Sequence, residues 1–122
     1  MSRKRSLRGS YRLVGWLSAK PDNAEKRFIQ VGDSLLFSPA YQALHTGAKH
    51  LYLCMAMESG RSRYFTLPAS AAKKYGVAER SFWNYVAELE ALGFIKRRSG
   101  RFTREQNEYE FSFDWKNAHP GA

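Results

Sequence analysis

The chain has 122 residues, with 20 Lys or Arg against 11 Asp or Glu, a formal net charge of +9. A composition that is 43% hydrophobic and 15% aromatic is too apolar for a disordered tail and sufficient for one core, so one small domain with a basic surface is expected. Near the N-terminus the longest apolar run, Leu13 to Leu17, is too short for a signal segment or a membrane span, and the lone Cys54 permits neither an internal disulfide nor a C-x-x-C metal finger. The expectation is a soluble cytoplasmic protein of a reducing compartment, with no membrane association.

The charge is unevenly placed. Residues 1–27 carry +6, residues 28–60 carry −1, residues 61–104 carry +7 and residues 105–122 carry −3. Two basic blocks therefore flank a near-neutral apolar one, the pattern of a buried scaffold beside a working surface. A polyanion is the simplest partner for such a surface, because neutralising phosphates releases condensed counterions, although a basic surface also serves solubility alone.

In chain order, residues 1–27 lack sustained periodicity and contain the turn signal Pro21-Asp22-Asn23. They read as a flexible basic arm with at most a short strand over 11–17. Phe28 to Val31 reads as a strand or an extended entry into the domain. Ser38-Pro39 supplies a helix cap followed by Pro at the first helical position, starting a short helix to about Leu44. With Thr46 as cap, residues 48–59 carry apolar residues on most sides and are stopped by Gly60, which reads as the central core helix.

Arg61 to Thr66 reads as a short extended link. Leu67-Pro68 opens a helix at Ala69 that ends at Tyr75-Gly76, and Val77 plugs the connection. The next helix, Glu79 to Leu92, sets Phe82, Val86, Leu89 and Leu92 on one apolar stripe. Gly93 stops it, Phe94 to Arg98 forms a strand, and 99–106 forms a basic loop. Asn107 to Trp115 alternates Tyr109, Phe111, Phe113 and Trp115 against polar residues, the period of a strand with one wet face. Residues 116–122 read as a disordered tail. The order is that of a mainly α chain with a small β part, an α+β winged helix-turn-helix over residues 28–115.

The same stretch carries a resemblance. Gly47-Ala48-Lys49-x-x-Tyr52, Phe65-x-x-Pro68, the run AKKYGVAERSFWNYVAELEALGFI from Ala72 to Ile95, and within it Leu89-x-x-Leu92-Gly93-Phe94-Ile95 resemble bacterial winged helix-turn-helix domains. The similarity is to those of replication initiators, replisome organisers and small regulators of plasmids, phages and integrative conjugative elements. It spans roughly residues 28–114. Ser81 and Phe82 stand where that pattern has a small hydroxyl residue and a bulky aliphatic, and Trp83 stands where it often has Arg or Lys. The resemblance implies double-stranded DNA as partner, in replication initiation or gene control of a mobile genetic element.

In such a domain the second helix of the pair lies in the major groove. With Phe82, Val86 and Leu89 inward, Arg80, Trp83, Asn84 and Ala87 fall on the opposite face as base readers, Arg80 suited to guanine and Asn84 to adenine. Trp83 equally suits the rim of the core or a dimer interface. Ser81, Lys73, Lys74, Arg97, Arg98, Arg101 and Arg104 are expected on the DNA backbone, and Arg3, Lys4, Arg5, Arg8 and Arg12 form an arm adding sequence-independent affinity. Lys73 and Lys74 also suit a plain solvated face, and Arg61 and Arg63 suit support of the fold. A homodimeric repressor, or an adaptor for a replication or transcription protein, are the alternatives.

Catalysis finds little footing. The chain has no G-x-x-x-x-G-K, no G-x-S-x-G and no His-x-His pair. His50, Cys54 and Glu58 recur at i, i+4 and i+8, yet on so apolar a helix they read as packed neighbours rather than metal ligands. Glu88 and Glu90 read as solvated helix charges with nearby Arg or Lys, and the aromatic row at the C-terminus as core, although a single-strand reader uses the same residue types. No enzyme activity, cofactor or metal is expected.

Overall fold

The computed structural model describes residues 11–98 and 108–117, and about half of these are helical, beside a small antiparallel sheet. The class is α+β. The chain divides into two compact units between Gln30 and Val31.

In the first unit β1 (Tyr11–Arg12) pairs antiparallel with β2 (Ala24–Glu25), and the Leu13 N–H donates to the Asn23 carbonyl at 2.9 Å. A 3₁₀ turn over Gly15–Leu17 lies between them, and Tyr11 meets Phe28 edge-on at 4.7 Å. The expected arm is therefore paired over these residues, and Arg12 is an exposed strand residue. The strand expected over 11–17 is cut to two residues, since Gly15–Leu17 wind into the 3₁₀ turn instead, and Asn23, just before β2, takes φ 57°. Arg3, Lys4, Arg5 and Arg8 lie outside the described residues.

Of the two forms expected over Phe28 to Val31 the strand is absent; these residues are an irregular entry into α1 (Asp33–Leu36), an element without a sequence signal. An acidic residue in its first turn favours the helix N-terminus. α2 (Pro39–Gln42) follows with Ser38 at the cap and Pro39 first, and stops two residues before Leu44. α3 (Thr46–Ser59) begins on the residue expected as its cap, so that His45 is the capping residue. Its cap is tertiary: the Glu88 carboxylate accepts the His45 backbone N–H at 2.7 Å and stands 3.0 Å from His45 Nδ1, so Glu88 is an anchor rather than a solvated charge.

β3 (Tyr64–Thr66) leads to α4 (Ala69–Ala72), which tightens into a 3₁₀ turn at Lys73–Tyr75 and ends on Gly76 at φ 82°. Val77 is buried in the connection, and α5 (Glu79–Ala91) follows. β4 (Ile95–Arg98) and β5 (Glu108–Phe111) complete a three-stranded antiparallel sheet in the order β3-β5-β4, with Phe65, Tyr109 and Arg97 in one row.

The core joins the inner face of this sheet to α3 and α5. Leu51 and Met55 of α3, Phe82, Val86 and Leu89 of α5, and Phe94 and Tyr109 are fully buried. Aromatic pairs knit it: Tyr52 meets Phe94 at 5.1 Å, Phe65 stacks on Phe111 at 4.7 Å, and Phe94 stacks on Trp115 at 5.2 Å.

The C-terminal strand is shorter than its alternation suggests. β4 offers pairing only back to Ile95, opposite Phe111, so beyond Phe111 the chain has no ladder to extend. It turns instead into a 3₁₀ helix, Asp114–Asn117, which takes in Trp115 and the first two residues of the expected tail. Ser112, expected on the wet face, is buried, its N–H donating to the Phe94 carbonyl at 2.9 Å, and Phe113, expected inside, is about half exposed. Gly93 makes the turn possible. It takes φ 85°, and a Cβ there would stand 2.9 Å from Asp114 Cβ and 3.0 Å from the Trp115 nitrogen.

Candidate nucleic-acid interface

α5 has two chemically distinct faces. Phe82, Val86 and Leu89 are sealed in the core, whereas Arg80, Asn84 and Ala87 are exposed on the other side. Among the described residues the Arg80 side chain makes no ion pair, so its guanidinium points to solvent uncommitted. Ala78, the capping residue, supplies no side-chain cap; the Ser81 N–H turns back to the Ala78 carbonyl at 3.0 Å, which leaves the Glu79 and Arg80 N–H groups without a partner among the described residues. Ser81 is half-buried in this first turn.

Trp83 occupies a different position from the three exposed residues. It is half-buried, packs edge-on against Phe82 at 4.8 Å, and lies under the Arg97 guanidinium at 5.7 Å. Arg97 also pairs with Glu90 at 3.5 Å. Trp83, Arg97 and Glu90 thus form the seam between α5 and β4, with the indole at the rim of the core.

The lysines expected on phosphate separate in the same way. Lys74 binds Glu58 of α3 at 2.7 Å, and Glu58 also accepts the Tyr75 hydroxyl at 2.6 Å. Lys73 is exposed and makes no ion pair with a described residue. Arg98 is exposed and covers the Tyr64 ring at 5.1 Å. The Arg97–Glu90 pair is open to water on both sides and is worth about 0–1 kcal/mol, whereas the Glu58 carboxylate that holds Lys74 is mostly covered. Arg101 and Arg104 lie outside the described residues. Glu90 has the nearby basic partner expected of it, in Arg97, whereas the partner of Glu58 comes from another element and has no sequence signal. Charge alternation along a single helix carries no trace of that pairing.

His50, Cys54 and Glu58 share one face of α3, and each is engaged. His50 Nε2 donates to the Tyr75 carbonyl at 2.9 Å, and Cys54 Sγ lies 3.6 Å from the same nitrogen. Burial pushes the Cys54 thiol up to about 11, with the Glu58 charge adding to the rise. Together these contacts fasten α3 to the turn after α4. Among the described residues no three His, Cys, Asp or Glu side chains gather as metal ligands would. Arg63 supports the sheet: its Nε donates to the Phe111 carbonyl at 3.2 Å, and its terminal nitrogen pairs with Glu110 at 3.0 Å.

No helix among the described residues is long and apolar enough to cross a membrane. No protein-family model, curated protein or solved structure matches the chain.

Proposed function

We propose that the chain binds duplex DNA in a sequence-specific way, as a winged helix-turn-helix whose helix pair is α4 and α5 and whose wing is the β4–β5 pair. The observation that carries this reading is the exposed face of α5. An uncommitted Arg80 and a polar Asn84 stand one turn apart, with the small Ala87 beyond them, on a helix fixed from behind by Phe82, Val86 and Leu89. A rigid helix with a narrow polar edge fits a major groove, where Arg reads guanine O6 and N7 and Asn reads adenine N6 and N7.

In this reading Lys73 and the open N-terminus of α5 take phosphates, and Lys74, Arg97 and Arg98 join from the flanks. Trp83 fixes the angle between helix and wing. The sequence resemblance supports a role in replication initiation or gene control of a mobile genetic element.

Selection from a random duplex pool, followed by titration of the enriched site, tests the reading. Arg80→Ala and Asn84→Ala should each relax preference at one base pair by about 1–3 kcal/mol. Lys73→Ala should weaken all sequences alike and lower the salt slope by about one. Duplex affinity weaker than about 10⁻⁴ M at low salt overturns the reading and favours a protein-binding adaptor.

A further inference from the structure

The outer face of the sheet is unusual in what it leaves in water. Strand alternation puts Phe65, Tyr109 and Ile95 inside, so Tyr64, Glu110 and Lys96 form one outward row and Thr66, Glu108 and Arg98 the next. Tyr64 is 51% exposed, and just past the end of β5 Phe113 is 49% exposed. Each of these rings leaves about half of its surface in water, Tyr64 on the outer face of the sheet and Phe113 beyond the end of β5.

Both rings carry cations. The Arg98 guanidinium lies 5.1 Å from the Tyr64 centroid, while Phe113 has Arg63 at 5.1 Å and Lys116 at 4.8 Å. Arg63, next to Tyr64 in the chain, reaches Phe113 and so links the two rings. Its charge is balanced by Glu110, which leaves Lys96, Arg98 and Lys116 against Glu108 and Asp114. Beside Tyr64 is a concavity of about 250 Å³ lined by Tyr64, Phe65, Thr66, Arg98, Glu108 and Tyr109. Its wall therefore combines an aromatic ring, a guanidinium, a hydroxyl and a carboxylate.

The geometry points to this face as a binding site for single-stranded nucleic acid, with one unpaired base in the concavity against Tyr64 and a neighbouring base on Phe113. A base offers a flat π-face to the ring and the guanidinium, and its exocyclic amino group finds an acceptor in the Glu108 carboxylate. Lys96 and Lys116 lie where the phosphates of a strand crossing the sheet are neutralised. Duplex DNA does not satisfy the site, because its bases are stacked on one another and present only their edges. This surface lies on a different element from the exposed face of α5; it shares only Arg98 with the duplex reading and does not rest on it.

The test uses the whole chain and a labelled single-stranded DNA of about a dozen nucleotides without self-complementarity, read by fluorescence anisotropy. An abasic strand of equal length and a strand of the same sequence in RNA are run beside it. Tyr64→Ala and Phe113→Ala should each weaken binding of the DNA strand roughly tenfold and leave duplex binding within about twofold. Tyr64→Phe should retain it, and Arg80→Ala should leave single-strand binding unchanged. The abasic strand should bind the unaltered protein as weakly as the intact strand binds the variants, a comparison that needs no variant to fold. Tighter binding of the RNA or of the DNA strand identifies which one occupies the site.

Equal binding of abasic and intact strands, or unchanged binding by folded Tyr64→Ala and Phe113→Ala variants, overturns the inference. Loss of single-strand binding alone leaves the duplex reading standing. Loss of duplex binding alone does the reverse.

Discussion

α3 and α5 are close in length, 14 and 13 residues, but they do opposite work. α3 is the more enclosed: Ala48, Leu51, Cys54 and Met55 are buried, most of its other residues are half-buried, and His50 and Glu58 are tied to Tyr75 and Lys74. α5 buries a single stripe and keeps Arg80, Asn84 and Ala87 in water. The charge follows the same division, since residues 28–60 carry −1 and residues 61–104 carry +7. A helix wrapped by its neighbours can only position others, whereas a helix held from one side can present chemistry from the other.

Substitution on the two sides of α5 breaks the comparison most sharply. Phe82→Ala removes a fully buried ring and should cost about 3–5 kcal/mol in chemical denaturation, whereas Arg80→Ala should leave stability within about 0.5 kcal/mol while altering DNA preference. Comparable stability losses at both positions would show that Arg80 belongs to the fold.

Next in size is the effect at the glycines that end the two helices. Gly60 closes α3 at φ 61° with nothing within 4 Å of a Cβ, so Gly60→Ala should cost about 1 kcal/mol from the backbone conformation alone. Gly93 follows α5 at φ 85° and adds a clash with the backbone at Trp115, so Gly93→Ala should cost clearly more, about 2–3 kcal/mol. Paired thermal melts decide the order.

Smallest near neutrality is the response to alkali, which probes the α3 side. Burial holds Cys54 up to about 11, and Tyr52 and Tyr109 up to about 12. Each group is neutral in the folded chain and ionises more readily once unfolded. Stability is therefore whole below the ordinary values of 9 and 10 and should fall as pH rises from about 9 toward 12. A denaturation midpoint that climbs over that range would contradict the burial of these groups.

Local patterns identify the two long helices with good fidelity. The Phe82, Val86 and Leu89 spacing puts three side chains in the core, and Gly60, Gly76 and Gly93 all take the left-handed backbone that ends a helix or turns the chain. Pro39 likewise opens α2 where expected. What escapes such patterns depends on partners far along the chain. Nothing near Phe111 in sequence reveals that β4 has no residue left to pair beyond Ile95, so the alternation through Trp115 overstates the strand. The short α1 has too few residues for a periodic signal.

The candidate sites divide in the same way. The exposure of Arg80, Asn84 and Ala87 follows from helical spacing once the apolar stripe is assigned, because one period fixes both faces. The placement of Trp83 under Arg97, of Lys74 on Glu58 and of Tyr64 under Arg98 was decided only when separate elements met. The sequence by itself determined the basic charge, the two long helices and their stops. The tertiary structure alone decided which cations stay open to a ligand and which aromatic rings reach water. Side-chain pairing across elements is set by the packing of backbone segments that are distant in sequence, and no local period encodes it.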